Sequence, residues 1–493
     1  MTYSNKEISI LFAAAEADPF AKVGGLGDVA GALPAALKDL SPEPGYPKMD
    51  IRVVIPFHPV IKDKGWSPDL IAEVQVSSIS GLEKAQIYST KVNEVTVYFI
   101  DGAPVKKIPP VYSSNNAVDG EKYVFFCQAV LKMVEKIGWV PDIIHANDWH
   151  TAPIIYSLSL MKKAKPNGDF ANIKTVFTIH NLPFMGAGSE TWMTHYLLPP
   201  ANTDLLPEWG VQHPLPLGLL TADKIVTVSP TYAQEIMTSE FGCGLENFLQ
   251  SRKDDVSGIL NGLDNDLWNP ATDKHLPTKF SQADFSLRQN NKVELLKEFN
   301  LDSNPQRPLL ILISRMDQQK GVDLAVEAMY LLEQQDWQMI ILGTGDPVLE
   351  NACKKLENDF PDRVRAAIRF DVGLSRRMYA GADMLVMPSR YEPCGLAQMI
   401  AMRYGCVPIA RATGGLSDSI HQTATMKKAT GFLFKPATAH SLAHAIEKAL
   451  YCYKDAKTWQ SIQRNGMATD FSWEKPALEY AHLYNSLFIG RKE

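Results

Sequence analysis

Ser389-Arg390-Tyr391-Glu392-Pro393-Cys394-Gly395-Leu396 follows the apolar run Asp383-Met384-Leu385-Val386-Met387 and leads into Gly395-Leu396-Ala397-Gln398-Met399-Ile400-Ala401-Met402, whose apolar residues have helical spacing. An apolar run of that length reads as a buried parallel strand, which puts Glu392 on a strand-to-helix turn. In open α/β sheets that carboxyl edge is where ligands bind. The pattern recurs at once: Val407-Pro408-Ile409-Ala410 reads as the next strand, and Thr413-Gly414-Gly415-Leu416 opens the next helix. Two helix N-termini with bare, glycine-lined amides at one crevice suit an anion such as a diphosphate. A carboxylate among those amides needs a cationic or electron-poor partner. The combination points to a phosphorylated donor cleaved beside Glu392. The plainer alternative is an ordinary turn with a helix-capping glutamate.

Outward from this stretch, short β-branched runs alternate with longer amphipathic ones along all 493 residues. Strands are expected at 8–15, 51–55, 95–100, 143–146, 175–179 and 224–228, then at 309–314, 339–342, 364–370, 384–387, 407–410 and 431–434. Alternating strands and helices imply βαβ units and parallel sheets, here two doubly wound Rossmann-like domains of an α/β chain. The expected boundaries are 1–260 and 261–472, with a terminal helix in 473–493 returning to the first domain. The crossing is expected within 257–264, and the polar stretch 271–290 reads as surface connection.

Composition narrows the function. Lys+Arg 49 against Asp+Glu 55 leaves a net charge of -6 with no long basic run, which argues against nucleic acid or a membrane surface as the main partner. Six scattered cysteines without a Cys-x-x-Cys pair suit a reducing, cytoplasmic compartment. The apolar start, Ile8 to Ala15, runs into Glu16 and Asp18 and reads as a strand, not a leader.

The first turn, Lys22-Val23-Gly24-Gly25-Leu26-Gly27-Asp28, precedes an amphipathic helix. Its glycines permit close backbone approach to a ligand, and Lys22 adds a mobile cation. Gly25-Leu26-Gly27-Asp28-Val29-Ala30 also fits the dinucleotide fingerprint, with Asp50 near the ribose-acid position, so an NAD(P)-dependent oxidoreductase is the rival reading. His145-Ala146-Asn147-Asp148-Trp149-His150 has two histidines five apart, off the spacing of a helical metal site, so no metal is expected. Asp148 and Trp149 suit sugar recognition, or else a buried tryptophan beside a capping aspartate. His180-Asn181 ends another strand and is a candidate for the same site. Asp264-Asn265-Asp266 reads as a turn. Arg315 and Lys320 bracket one turn and can both reach a phosphate; Gly343-Thr344-Gly345-Asp346 beside them reads as structural.

Collected in order, Lys22-Val23-Gly24-Gly25-Leu26, His180-Asn181, Ser229-Pro230-Thr231-Tyr232, Asn261-Gly262, Ser314-Arg315, Lys320-Gly321, Glu392-Pro393-Cys394-Gly395-Leu396 and Thr413-Gly414-Gly415-Leu416 resemble the bacterial glycogen synthase and plant starch synthase family. The lead-in Glu16-Ala17-Asp18-Pro19 and the turn Lys22-Val23-Gly24-Gly25-Leu26-Gly27-Asp28 resemble its cyanobacterial and plant type III/IV forms more than the enterobacterial one. The resemblance implies a GT-B fold, two Rossmann-like domains facing across a cleft. It also implies ADP-glucose as donor substrate, an α-1,4-glucan or maltooligosaccharide as acceptor, retention of configuration, and neither metal nor cofactor. By position it assigns Lys22, Arg315 and Lys320 to the ADP phosphates and Glu392 to the transferred glucose, with Asp148 and His180 facing the sugar. Gly24, Gly25, Cys394, Gly395, Leu396, Gly415 and Leu416 would line the donor. Ala397 departs from the family's threonine, which motivates the alternative of a catalytically weak glucan-binding or priming protein. A catalytic core alone is expected, located in a bacterial cytosol or a plastid stroma; the oligomeric state stays open.

Overall fold

The structure, a computed structural model, describes residues 7–40, 48–113 and 115–488. It divides into two units: residues up to Gly262 together with those from Trp473 onward, and 263–472.

The first unit is built on β1 (Ile8–Ala13), β2 (Met49–Pro56), β3 (Asp69–Ser78), β4 (Gly81–Val92), β5 (Val95–Gly102), β6 (Ile143–Asn147), β7 (Lys174–Ile179), β8 (Lys224–Thr227) and β9 (Val256–Gly258). They form one sheet in the order β3-β4-β5-β2-β1-β6-β7-β8-β9. Only the β3/β4 and β4/β5 pairs are antiparallel. Ile10, Leu11, Phe12 and Ala13 of β1 are wholly buried, as a continuous apolar run must be when helices cover both faces of a parallel sheet. The helix Gly25–Asp39 buries Leu26, Val29, Ala30, Leu33 and Leu37, one face at helical spacing. The terminal helix Glu474–Ser486 belongs to this unit, where the Tyr484 hydroxyl meets His145 Nδ1 at 2.7 Å.

The second unit carries β10 (Leu309–Ile313), β11 (Gln338–Gly343), β12 (Val364–Ile368), β13 (Met384–Met387), β14 (Val407–Arg411) and β15 (Phe432–Phe434). Their order is β12-β11-β10-β13-β14-β15, parallel throughout. This is the doubly wound order of dinucleotide-type folds.

Every expected strand is present, its ends moved by a few residues. β3, β4 and β9 lie outside the expected set. β3 and β4 alternate inward and outward residues, and outward Glu73 and Gln75 interrupt any apolar run. The stretch 271–290 is not simply surface. Asp273 is buried, accepts from Arg376 at 2.9 Å and Tyr404 at 2.6 Å, and anchors the connection together with buried Leu276 and Phe280. A buried carboxylate needs such partners, and sequence spacing does not display them. Among the described residues no helix is long and apolar enough to cross a membrane.

Candidate active site

In each sheet the chain leaves the first strand to one side and later returns to the other. In the first unit this reversal falls between β1 and β6, in the second between β10 and β13. Loops at the carboxyl ends of such strand pairs bound the ligand crevice of a doubly wound sheet. The sequence-derived candidates fall on these loops, with Gly414, Gly415 and Leu416 after β14 and His180 after β7.

In the first unit, the turn after β1 exposes residues 22–25. The Lys22 Nζ pairs with Asp28 and, at 3.6 Å, with Asp18, both partly exposed carboxylates. The Gly24 amide is not open to a ligand. It donates to the Glu16 carboxylate at 3.1 Å, and the Val23 amide donates to the other oxygen of the same carboxylate. Asp50, the supposed ribose acid, sits at the opposite end of the sheet, in the second position of β2, where it holds Arg52 and the Trp139 indole. The dinucleotide reading fails on that geometry, because the ribose acid belongs at a strand's carboxyl end.

The loop after β6 gathers Asp148 and His180. The His180 amide donates to Asp148 Oδ1 at 2.7 Å, and the ring Nε2 lies 2.9 Å from Asn147 Oδ1. Asn147 Nδ2 donates to the Ala13 carbonyl at 3.0 Å. That bond orients the Asn147 amide, so Oδ1 accepts and His180 carries its proton on Nε2, leaving Nδ1 as an acceptor. Burial holds the imidazole neutral, its pKa down at about 3. Burial likewise pushes Asp148 up to about 7 against the His180 and Asn181 amides, with the Glu16 charge adding to the rise. Asp148 has a left-handed backbone, φ 56°, uncommon for a residue with a side chain.

Trp149 does not present a face to a sugar. It is 2% exposed, lies 4.2 Å from the His150 ring, and closes on Gly186, where a Cβ would lie 2.7 Å from its Cε3. The plainer alternative, a core tryptophan, holds. His145 is tied to Thr178 and Tyr484, each at 2.7 Å. No group of three or more potential metal-binding side chains occurs among the described residues.

In the second unit, Lys320 Nζ donates to both oxygens of Glu392, at 2.8 and 2.7 Å, and Ser389 Oγ donates to Oε2 at 2.9 Å. Glu392 is 5% exposed and does not cap a helix; it takes the cationic partner a buried carboxylate demands, from the neighbouring turn. Arg315 is exposed and pairs with Asp317 at 3.1 Å.

The amides expected to be bare are partly engaged. Gly415 donates to the Glu392 and Pro393 carbonyls at 3.1 and 3.2 Å, and Leu416 to Thr413 at 3.1 Å. A Cβ at Gly415 would lie 2.0 Å from the Cys394 carbonyl oxygen, so this glycine serves the close stacking of two turns. Cys394 is buried, whereas Gly395, Leu396 and Ala397 are half-exposed and form the open part of the turn. Asp264 Oδ1 accepts from the amides of Asp266 and Leu267, the expected turn.

Sequence reasoning missed Glu16, Asn147 and Ser389 as contributors. Glu16 was visible as an acid just after a buried strand and as the first residue of the Glu16-Ala17-Asp18-Pro19 lead-in; nothing in the spacing revealed that it would reach the glycine turn.

The chain matches two family descriptions, "Starch synthase catalytic domain" over residues 9–251 and "Glycosyl transferases group 1" over 295–466. Glycogen synthases of Thermotoga maritima and Ligilactobacillus salivarius are each 40% identical, covering 98% and 97% of this chain and 100% of theirs. The catalytic domain of starch synthase IV from Arabidopsis thaliana, solved bound to ADP and acarbose, superposes with a TM-score of 0.85 at 32% identity, over 97% of this chain and 99% of that one. Sucrose-phosphate synthase from Thermosynechococcus elongatus, at 21% identity and a TM-score of 0.60, shares the fold. With two Rossmann-like units of GT-B type and full-length similarity to these enzymes, the chain belongs to the glycogen synthase and starch synthase family of glycosyltransferases.

Proposed function

We propose that this chain transfers glucose from ADP-glucose to the non-reducing 4-hydroxyl of an α-1,4-glucan, with retention of configuration, in the cytosol or a plastid stroma. ADP-glucose is a substrate in this reading, and neither metal nor cofactor takes part. The observation that carries it is the meeting of Lys320 and Glu392 at the reversal point of the second sheet. Full-length similarity to glycogen synthases supports the donor and acceptor classes.

As the glucosyl–phosphate bond breaks, the anomeric carbon gains positive character and ADP gains negative charge. Arg315, Lys320, Lys22 and the half-exposed turn at Gly395 and Leu396 stabilise the departing phosphate, which lowers the barrier because the charge is largest in the transition state. Two of the three Lys320 N–H donors serve Glu392, and the third is assigned to a phosphate oxygen. Glu392 stabilises the sugar's positive character while the acceptor hydroxyl attacks from the leaving-group face. Neutral His180 and Asp148 receive sugar hydroxyls.

The test is nucleotide release from ADP-glucose or UDP-glucose with and without maltooligosaccharide. Acceptor-dependent ADP release with chain elongation is expected. Glucan binding without ADP release would instead support the priming-protein alternative raised by Ala397.

A further inference from the structure

The turn that carries Lys22 is exposed, yet it rests on a buried carboxylate. Glu16 is 1% exposed and accepts the amide protons of Val23 and Gly24, while the Tyr112 hydroxyl donates to its Oε1 at 3.1 Å. Gly24 is the N-cap of the helix Gly25–Asp39 and offers no capping side chain of its own. Glu16 therefore acts as a remote cap, its oxygens bonded to amides at a helix N-terminus where the peptide dipoles favour an anion. The glycines fit around it. A Cβ at Gly27 would lie 3.0 Å from Lys22 Cγ and 3.2 Å from Glu16 Oε2, and one at Gly24 3.4 Å from Glu16 Oε1. The backbone at Gly24 is extended, φ −135°, and a Cβ there would make only ordinary contact, so the tight approach to Glu16 and Lys22 lies at Gly27.

We propose that Glu16 is a positioning residue for the sugar-nucleotide donor: it fixes the turn 22–25 from beneath and so aims Lys22 at the donor's phosphates. This rests on the assignment of Lys22 to that diphosphate. It also means that the turn's contribution to anion binding comes through the Lys22 ammonium, since the Val23 and Gly24 amides are already committed to Glu16.

The experiment is a double-mutant cycle in the full chain with Glu16→Gln and Lys22→Ala, reading ADP affinity by calorimetry, kcat and KM for ADP-glucose, KM for maltooligosaccharide, and Tm. Glutamine keeps the shape but points an N–H donor at donors. Glu16→Gln is expected to weaken ADP binding and raise KM for ADP-glucose about tenfold, on the scale of one charge-assisted contact, with KM for maltooligosaccharide unchanged. In the Lys22→Ala background it should add nothing, because the two residues act as one unit. An equal penalty in both backgrounds, or wild-type ADP affinity in Glu16→Gln, overturns the proposal. If Lys22→Ala itself leaves ADP affinity untouched, the assignment of Lys22 fails instead. Should Glu16→Gln not fold, Gly27→Ala presses on the same two side chains without removing the carboxylate. A loss of ADP affinity is again expected, and wild-type affinity again refutes it.

Discussion

Lys22 and Lys320 occupy equivalent places, each on the turn after the first strand of a doubly wound sheet, but they are held in opposite ways. Lys22 pairs with Asp18 and Asp28, whose side chains stay 36% and 23% exposed, while a separate buried acid, Glu16, holds the backbone around it. Lys320 is itself the partner of the buried acid: Glu392 lies against it with 5% exposure. Exposed ion pairs are worth about 0–1 kcal/mol and exchange partners readily. A buried pair that loses one member leaves an uncompensated charge costing about 3–5 kcal/mol. The first sheet thus keeps its scaffold and its cation on different residues, whereas the second combines them.

The largest effect follows for Lys320→Ala, which should cost about 3 kcal/mol of stability, from the stranded Glu392 charge, and roughly a thousandfold in kcat. Urea midpoints and turnover measure both. A wild-type midpoint would break the contrast with Lys22. Next comes Arg315→Ala. Its side chain is 65% exposed, so the midpoint should stay within about 0.5 kcal/mol while kcat falls roughly a hundredfold. Turnover at the wild-type rate would remove Arg315 from the phosphate site.

A smaller effect separates Asp148 from both lysines. Its carboxyl loses its proton near pH 7 in the fold and near pH 4 in the unfolded chain. Between these values the folded state holds a proton that the unfolded chain has released, so stability falls as pH rises from about 4 to about 7 and then levels off. Asp148→Asn cannot ionise and should flatten Tm between pH 5 and 7.5. A slope equal to that of wild type would show Asp148 to be ionised throughout. The smallest change is expected for Asp28→Asn, within about 1 kcal/mol in stability, since Lys22 retains Asp18. A loss as large as that of Lys320→Ala would erase the distinction between the two turns.

Much of the second unit's site was legible. Met384–Met387 is a pure apolar run, and the turn after it carries the acid whose need for a cation could be stated from charge alone. Which cation meets it could not. Arg315 and Lys320 bracket the same turn, and only the pairing of β10 with β13 brings Lys320, not Arg315, against Glu392. Trp149 shows the opposite failure. An Asp-Trp pair at a strand end fits a sugar site by type, yet the Gly186 loop closes over the indole. β3 and β4 went unseen because the buried parallel strands announce themselves as continuous apolar runs, whereas this edge hairpin interleaves polar residues.

The amino-acid sequence by itself determined the alternation of strands and helices, the two sheets and the family, because apolar runs, glycine turns and motif order are local properties of the chain. Tertiary structure alone decided which charges meet. It set Glu392 on Lys320, Glu16 beneath the glycine turn, and Asp148 in surroundings that hold its proton to about pH 7. Those outcomes depend on burial and on contacts between residues far apart in the chain, and neither is written in any one segment.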